Sequence, residues 1–108
     1  MAEIIAEMCQ NHLGDRNILD EMIAAASEAG ADYAKIQSMR SKDLNYRARF
    51  EKGLVEGGVV KCKKRSFKKE YQRLKKLDLT VDEHFKFLEL CKKYKIKPMS
   101  TIFSRNRI

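Results

Sequence analysis

The sequence predicts an α/β fold made of parallel βα units. Three short apolar segments have the length of strands, and longer segments between them carry apolar residues at helical spacing. The helical segments also begin at residues that favour helix N-termini. The order is strand, helix, strand, then a long loop with a helix, then strand, and repeated βα units of this kind place their strands parallel through right-handed crossovers.

The three predicted strands each lie at a break in the helical pattern. The first covers Glu3–Glu7, the second Asp32–Ser38, and the third runs from about Lys97 to Ser100. Side chains alternate along a strand, so the second strand has one face with Tyr, Lys and Gln and another with Ala and Ile. We expect the apolar face to pack on a helix and the polar face to point into a barrel or toward a ligand.

Two helices are well specified by their ends. Asp15 can cap a helix over 16–29, and Gly30 suits a left-handed stop. Thr80 with Glu83 three residues later forms a capping-box pattern for a helix that runs to about Tyr94. Two apolar stripes compete to be the buried side of this second helix: Val81, Phe85, Leu88 and Cys91, or Phe87, Leu90 and Tyr94.

The segment 39–67 gives the weakest signal. It contains Gly53, Gly57 and Gly58, scattered charges and the short apolar run Val59-Val60. Because long connections inside compact domains are often functional, we predict a long irregular loop here, with at most a helical turn within 42–52. A short helix is predicted at 68–76.

Length and composition exclude several classes of protein. For 108 residues we expect one domain or less; the sequence has no membrane-length apolar run, and we expect no signal peptide because the start lacks a basic region followed by a long apolar core. Its cysteines, Cys9, Cys62 and Cys91, are odd in number and lack CxxC spacing, which argues against disulfides or a zinc site. We therefore expect reduced thiols and a cytoplasmic location.

A basic window accounts for most of the net charge of +8. Lys61–Lys76 reads KCKKRSFKKEYQRLKK, with Phe67 and Tyr71 among the cations. Such a window is either a solvated surface or an attractor of nucleic acid or anionic substrates. It contains no recognised motif, so nucleic acid is not the expected partner, and a basic nucleic-acid-binding module stays open as the alternative function.

Polar residues cluster where the predicted strands end, which is where parallel α/β folds bind ligands. Each has an ordinary structural explanation. Glu7 fits a capped strand-end carboxylate, Lys35 a surface lysine, Asn11-His12 an Asx-turn with a surface histidine, and Ser100-Thr101 hydroxyls that bond to nearby backbone. The residues alone do not decide between these and a functional site. His84 is expected on a helix surface, and no activating base for a Cys9 nucleophile is evident.

Four stretches together resemble the sialic acid synthase family, which condenses phosphoenolpyruvate with an N-acetylated amino sugar. They are IIAE-x-x-QNH-x-GD near the start, AGADYAKIQS at 29–38, KKLDLTVDEHFKFLELCKKYKI at 75–96 and MSTIFS at 99–104. They occur in the family's order and cover most of the chain. Three positions, in two of the stretches, depart from the pattern. Met8-Cys9 replaces isoleucine and glycine, and Ile102 replaces the proline after Thr101.

The resemblance implies the first three or so strands of a TIM (β/α)8 barrel, which needs about 250 residues when complete. It implies Glu7 and Lys35 as catalytic residues, and substrate contacts from Asn11, His12, Gln37 and Thr101. It also implies a divalent metal, Mn or Mg, whose two histidine ligands lie in a later part of the barrel, and a homodimer in the full enzyme.

Because the resemblance covers only the N-terminal part of such an enzyme, we expect a fragment that is inactive alone. Phosphate release by the purified chain, dependent on N-acetylmannosamine and manganese, would refute this. An inactive truncated relic is a further alternative. The residues do not indicate which amino sugar is used.

Overall fold

The computed structural model describes residues 1–103 and 105. Its elements in chain order are β1 (Ile5–Cys9), α1 (Arg16–Glu28), β2 (Tyr33–Ser38), a 3₁₀ turn (Ser41–Asp43), α2 (Ala48–Lys52), β3 (Leu54–Glu56), β4 (Val59–Cys62), α3 (Phe67–Lys75), α4 (Val81–Lys93) and β5 (Lys97–Ile102). The chain divides into two compact units. One comprises 1–39 with the residues from 77 onward, and the other, the inserted unit, comprises 40–76.

The first unit contains a three-stranded parallel sheet in the order β1-β2-β5. This confirms the predicted parallel βα units, and the strands differ from their predicted bounds only at their ends. Glu7 is paired in register with Lys35, and Gln37 with Thr101. Register neighbours in a parallel sheet point to the same side, so the polar residues of adjacent strands form rows.

Capping residues fix where the two long helices of this unit begin. The Asp15 carboxylate accepts from the backbone N–H of Asn17 at 2.7 Å. At α4, the Thr80 hydroxyl accepts from the N–H of Glu83 at 3.1 Å, and the Glu83 carboxylate accepts from the N–H of Thr80 at 3.4 Å, which completes the predicted capping box. Each cap satisfies N–H groups that have no partner inside the helix.

Both helices pack on one face of the sheet, where Ala34 and Ile36 are completely buried. The helix α4 buries Phe87 and Leu90 of the second candidate stripe together with Cys91 of the first, while Val81, Phe85 and Leu88 are exposed. Among residues 1–103 and 105, the buried core of this unit contains Met8, Leu19, Ile23, Ala34, Ile36, Leu79, Phe87, Leu90, Cys91 and Ile96. The predicted division of β2 into a packed apolar face and an open polar face follows from this arrangement.

The inserted unit corrects the prediction of an irregular loop at 39–67. Strands β3 and β4 form an antiparallel hairpin, and α2 precedes it. Gly57 and Gly58 lie at the tip with φ of 55° and 76°. A two-residue hairpin turn with positive φ at both positions matches the twist of its strands, and glycine adopts it without strain. The helix α3 lies within one residue of the prediction at each end.

None of the helices in the described part of the chain is long and apolar enough to cross a membrane.

A candidate active site at the carboxyl ends of the strands

Glu7 and Lys35 form an ion pair across two neighbouring strands. Their register pairing brings the Lys35 Nζ to 2.9 Å from the Glu7 Oε2. The pair lies on the sheet face away from the helices, and the side chains are 40% and 28% exposed, respectively. Both residues were singled out as catalytic by the family resemblance, and the fold brings them into direct contact.

The ion pair keeps Glu7 ionised. The hydrogen bond from Lys35 is the main cause that holds the pKa of the Glu7 carboxyl below its ordinary value, against a smaller opposing effect of burial. An ionised carboxylate accepts hydrogen bonds and protons but cannot donate them. At neutral pH, Glu7 is therefore suited to orient a hydroxyl group or to accept a proton.

Cys9 ends β1 in a conformation that favours glycine. Its φ is 51°, the pairing of β1 with β2 is irregular between Glu7 and Cys9, and its backbone N–H donates to the Glu7 Oε1 at 3.1 Å. Burial is the first cause that raises the pKa of the Cys9 thiol, and the neighbouring Glu7 carboxylate adds to it. The thiol is therefore protonated at neutral pH, which agrees with the expectation that it is not a nucleophile.

Gln37 and Thr101 lie further along the same open face. They are register neighbours on β2 and β5, and both are partly exposed. Lys35 and Gln37 are two residues apart on β2, so their side chains point to the same side. The structure thus places Glu7, Lys35, Gln37 and Thr101 on one face, toward the carboxyl ends of three adjacent strands. Contact of Gln37 and Thr101 with a substrate stays a prediction.

Asn11 and His12 differ sharply in their surroundings. Asn11 is exposed, whereas His12 is completely buried, so the alternative of a surface histidine is wrong. The His12 Nδ1 accepts from the backbone N–H of Gly14 at 2.9 Å, and burial lowers the pKa of the ring. Its Nε2 is buried and has no hydrogen-bond partner among residues 1–103 and 105. Substrate contact by Asn11 and His12 stays a prediction, and for His12 it requires that the buried ring become accessible.

His84 and Ser38 form a contact that the sequence did not reveal. The His84 Nδ1 donates to the Thr80 carbonyl oxygen at 2.8 Å, and its Nε2 accepts from the Ser38 hydroxyl at 2.6 Å. His84 is half-buried, so part of its ring lies at the helix surface, as expected, and part of it contacts Ser38. The available signal was its position in the first turn of α4, which faces the carboxyl end of β2. The contact ties that strand end to the helix.

The described residues do not fit a metal site. No group of three or more His, Cys, Asp or Glu side chains within this part of the chain is arranged to hold a metal ion. Cys9, Cys62 and Cys91 are all free thiols. The divalent metal implied by the family resemblance therefore has no ligand set here.

Comparisons with known proteins show which family the chain resembles. The family model described as "NeuB family" matches residues 22–108. The N,N'-diacetyllegionaminic acid synthase of Legionella pneumophila is 32% identical over 105 residues, which cover 97% of this chain and 28% of that protein. The pseudaminic acid synthase of Helicobacter pylori is 26% identical, with 94% of this chain and 28% of that protein covered.

A solved structure agrees in fold. The N-acetylneuraminic acid (sialic acid) synthetase of Leptospira borgpetersenii, crystallised with citrate, superposes with a TM-score of 0.72 at 27% identity. The match covers 95% of this chain and 30% of that one. The chain thus spans somewhat more than a quarter of the length of the relatives it matches, and its three parallel strands correspond to part of their fold.

Proposed function

Because the chain belongs to the NeuB family, we propose that residues 1–108 supply the phosphoenolpyruvate-binding side of a nonulosonic acid synthase site. The reaction condenses phosphoenolpyruvate with an N-acetylated amino sugar and gives a nonulosonic acid and phosphate. The observation that carries the proposal is the Glu7–Lys35 ion pair, on the open face at the carboxyl ends of parallel strands. Ligands bind at this end in such folds.

Lys35 is the group that binds the anionic substrate. Its ammonium is a compact positive charge with three donors, suited to a phosphate or carboxylate group. Glu7 holds it on the open face at 2.9 Å, while part of the side chain faces solvent. A dianionic phosphate can then share the ammonium with Glu7 without the lysine having to move far. Gln37 and Thr101, on the same face, offer neutral donors to the remaining oxygens.

Glu7 acts on the sugar. In the reaction, C3 of phosphoenolpyruvate attacks the aldehyde carbon of the open-chain sugar, water adds at C2, and phosphate leaves by cleavage of its C–O bond. The ionised Glu7 carboxylate is suited to orient a sugar hydroxyl, or to accept the proton that the attacking water loses. No step is assigned to a metal, because the described residues provide no site for one.

A chimera tests the proposal directly. Residues 1–108 replace the matched segment of the Legionella pneumophila synthase, and phosphate release is measured with both substrates present. We expect activity from the chimera and none from residues 1–108 alone. Lys35→Met should lower kcat/KM at least about 100-fold, the loss that follows removal of one charge-stabilising donor. It should raise KM for phosphoenolpyruvate, whereas Glu7→Gln should chiefly lower kcat.

Lys97 provides the matched control. It lies at the opposite end of the same sheet, in register with Tyr33, and its ammonium lies over the Tyr33 ring. Lys97→Met removes the same charge and should leave kcat/KM within about threefold of the parent. A folded chimera that releases no phosphate, or one in which Lys35→Met is as active as its parent, would contradict the proposal.

A further inference from the structure

The inserted unit carries all of the chain's excess positive charge. Residues 40–76 contain 14 of the 23 lysines and arginines but only four of the 15 acidic residues, a net charge of +10. The rest of the chain has a net charge of −2. The proposed synthase site uses none of these cations. The charge is therefore a property of one compact unit rather than of the whole surface.

Two of the unit's four carboxylates, those of Glu51 and Glu70, bind its own backbone and side chains. Glu51 accepts from the backbone N–H of Phe67 at 2.6 Å, at the start of α3. Glu70 binds Arg73 through two hydrogen bonds and lies 3.9 Å from Arg65. Both carboxylates are half-buried, whereas 13 of the 14 cations are exposed. As a result, the solvent-exposed surface of the unit carries a larger share of positive charge than the amino-acid composition of the unit indicates.

Four of these cations line one cleft. An open cavity of about 380 Å³ is lined by Arg49, Lys61, Lys63 and Arg65, together with Phe50 and Cys62. Lys61 lies in β4, Lys63 and Arg65 follow in the segment between β4 and α3, and all three line the same cleft. Within residues 1–103 and 105, no carboxylate lies within 4.0 Å of Arg49, Lys61 or Lys63. Such a cleft favours an anion with several charges.

Aromatic rings accompany the cations. Phe50 lines the cleft with 39% of its surface exposed, and Arg47 lies 5.7 Å from its ring centroid. Tyr46, which is 62% exposed, packs edge-on against Phe67. An inorganic phosphate ion does not stack on an aromatic ring, whereas the bases of a flexible nucleic-acid strand do. Exposed aromatic rings among unpaired cations are typical of surfaces that bind single strands.

We propose that the inserted unit binds single-stranded nucleic acid, with phosphates on Arg49, Lys61 and Lys63 and a base on Phe50. The juxtaposition of a cation-lined cleft, an exposed ring and inward-facing carboxylates carries the proposal. It reopens the alternative that the basic window suggested, and it is independent of the proposed synthase activity, because neither Glu7 nor Lys35 takes part in it.

The test is a titration of the full chain with a fluorescein-labelled, 20-nucleotide oligouridine, followed by anisotropy between 25 and 300 mM KCl. Each phosphate contact with a single strand contributes about −0.7 to the slope of log K against log[salt]. We expect a slope of about −2 or steeper. Arg49→Gln/Lys61→Gln/Lys63→Gln should make the slope shallower by about two and weaken binding at 50 mM KCl at least about tenfold.

Two further sets of variants distinguish binding at the cleft from a general attraction to the positively charged chain. Lys86→Gln/Lys92→Gln/Lys93→Gln removes the same three charges from α4, in the other unit, and should leave binding within about twofold of the parent. Phe50→Leu should weaken binding of oligouridine at least about fivefold, but not binding of inorganic polyphosphate of equal charge. Circular dichroism and melting temperatures confirm that the variants are folded.

The proposal is overturned if oligouridine does not bind at 25 mM KCl, or if the α4 variant loses as much affinity as the cleft variant. It is also overturned if polyphosphate binds as tightly as oligouridine and Phe50→Leu has no effect on either. That last result would assign the cleft to polyanions in general.

Discussion

His12 is the residue whose environment departs most from the expectation. A buried neutral imidazole makes folding depend on pH, because the unfolded chain protonates at the ordinary pKa of 6.5 whereas burial lowers the pKa in the folded state. Two groups on α4 also act on the pKa of His12: Glu83 opposes its lowering, and His84 adds to it. Stability from this residue is therefore present above pH 6.5 and is lost as the pH falls toward the folded-state pKa.

We predict that His12→Asn flattens this pH dependence. The asparagine amide can still accept from Gly14 but does not titrate. Each unit by which the pKa is lowered contributes about 1.4 kcal/mol to the wild-type loss. The free energy of unfolding in urea should therefore fall further between pH 7.5 and 5.5 in the wild type than in the variant. Equal losses in both proteins would show that His12 does not cause the effect.

At the scale of the element, the C-terminus of α4 has a non-glycine residue at a position where glycine is usual. After its last residues the N–H of Ile96 donates to the Cys91 carbonyl at 3.0 Å, and the N–H of Lys95 donates to the Lys92 carbonyl at 3.2 Å. This is a Schellman motif, and it requires a left-handed residue at position 95. Lys95 adopts φ of 55° there, in a place where glycine is usual.

We predict that Lys95→Gly stabilises the protein by about 1 kcal/mol. The left-handed conformation costs an L-residue about 1–2 kcal/mol, and the larger entropy of glycine in the unfolded chain offsets part of that gain. The Lys95 side chain is exposed, so little packing is lost. Urea unfolding measures the difference. The control Lys92→Gly places glycine inside the helix and should destabilise by about 1 kcal/mol, so a loss in both variants would contradict the explanation.

The elements also show what the sequence could predict. The capping residues Asp15 and Thr80 located the starts of α1 and α4, because a cap acts locally and its signal is local. The hairpin at 54–62 was missed although Gly57-Gly58 stood between Val55-Glu56 and Val59-Val60. Its strands are short and exposed, so they lack the alternation that burial on one face imposes. The contact between Ser38 and His84 joins residues 46 apart, and no local pattern records it.

At the scale of the whole molecule, the charge is divided between two units with different tasks in our proposals. The sheet of the first unit brings Glu7 and Lys35 together; the parallel direction of its strands was predictable from the order of the elements, whereas their register was not. The division of the chain into two units was not predictable from the sequence, because the basic window appeared there only as a run of lysines and arginines. Its meaning depends on the inward direction of Glu51 and Glu70, which only the folded chain shows.

This charge asymmetry should make stability increase with salt. The net charge of +10 on residues 40–76 repels itself in the folded state, and salt screens the repulsion between exposed charges. The exposed ion pairs that salt weakens contribute little in comparison. We predict that the urea concentration at the midpoint of unfolding rises between 10 and 200 mM KCl. Urea is the denaturant of choice here because it is uncharged.

The cleft variant and the α4 variant used for binding separate this cause from a general salt effect. Arg49→Gln/Lys61→Gln/Lys63→Gln relieves the repulsion, so it should raise the midpoint at 10 mM KCl and show a smaller rise with salt than the parent. Lys86→Gln/Lys92→Gln/Lys93→Gln removes charge from the unit whose net charge is −2, and should keep the full rise. A midpoint that falls with salt, or equal rises in both variants, would mean that the basic unit does not repel itself in the folded protein.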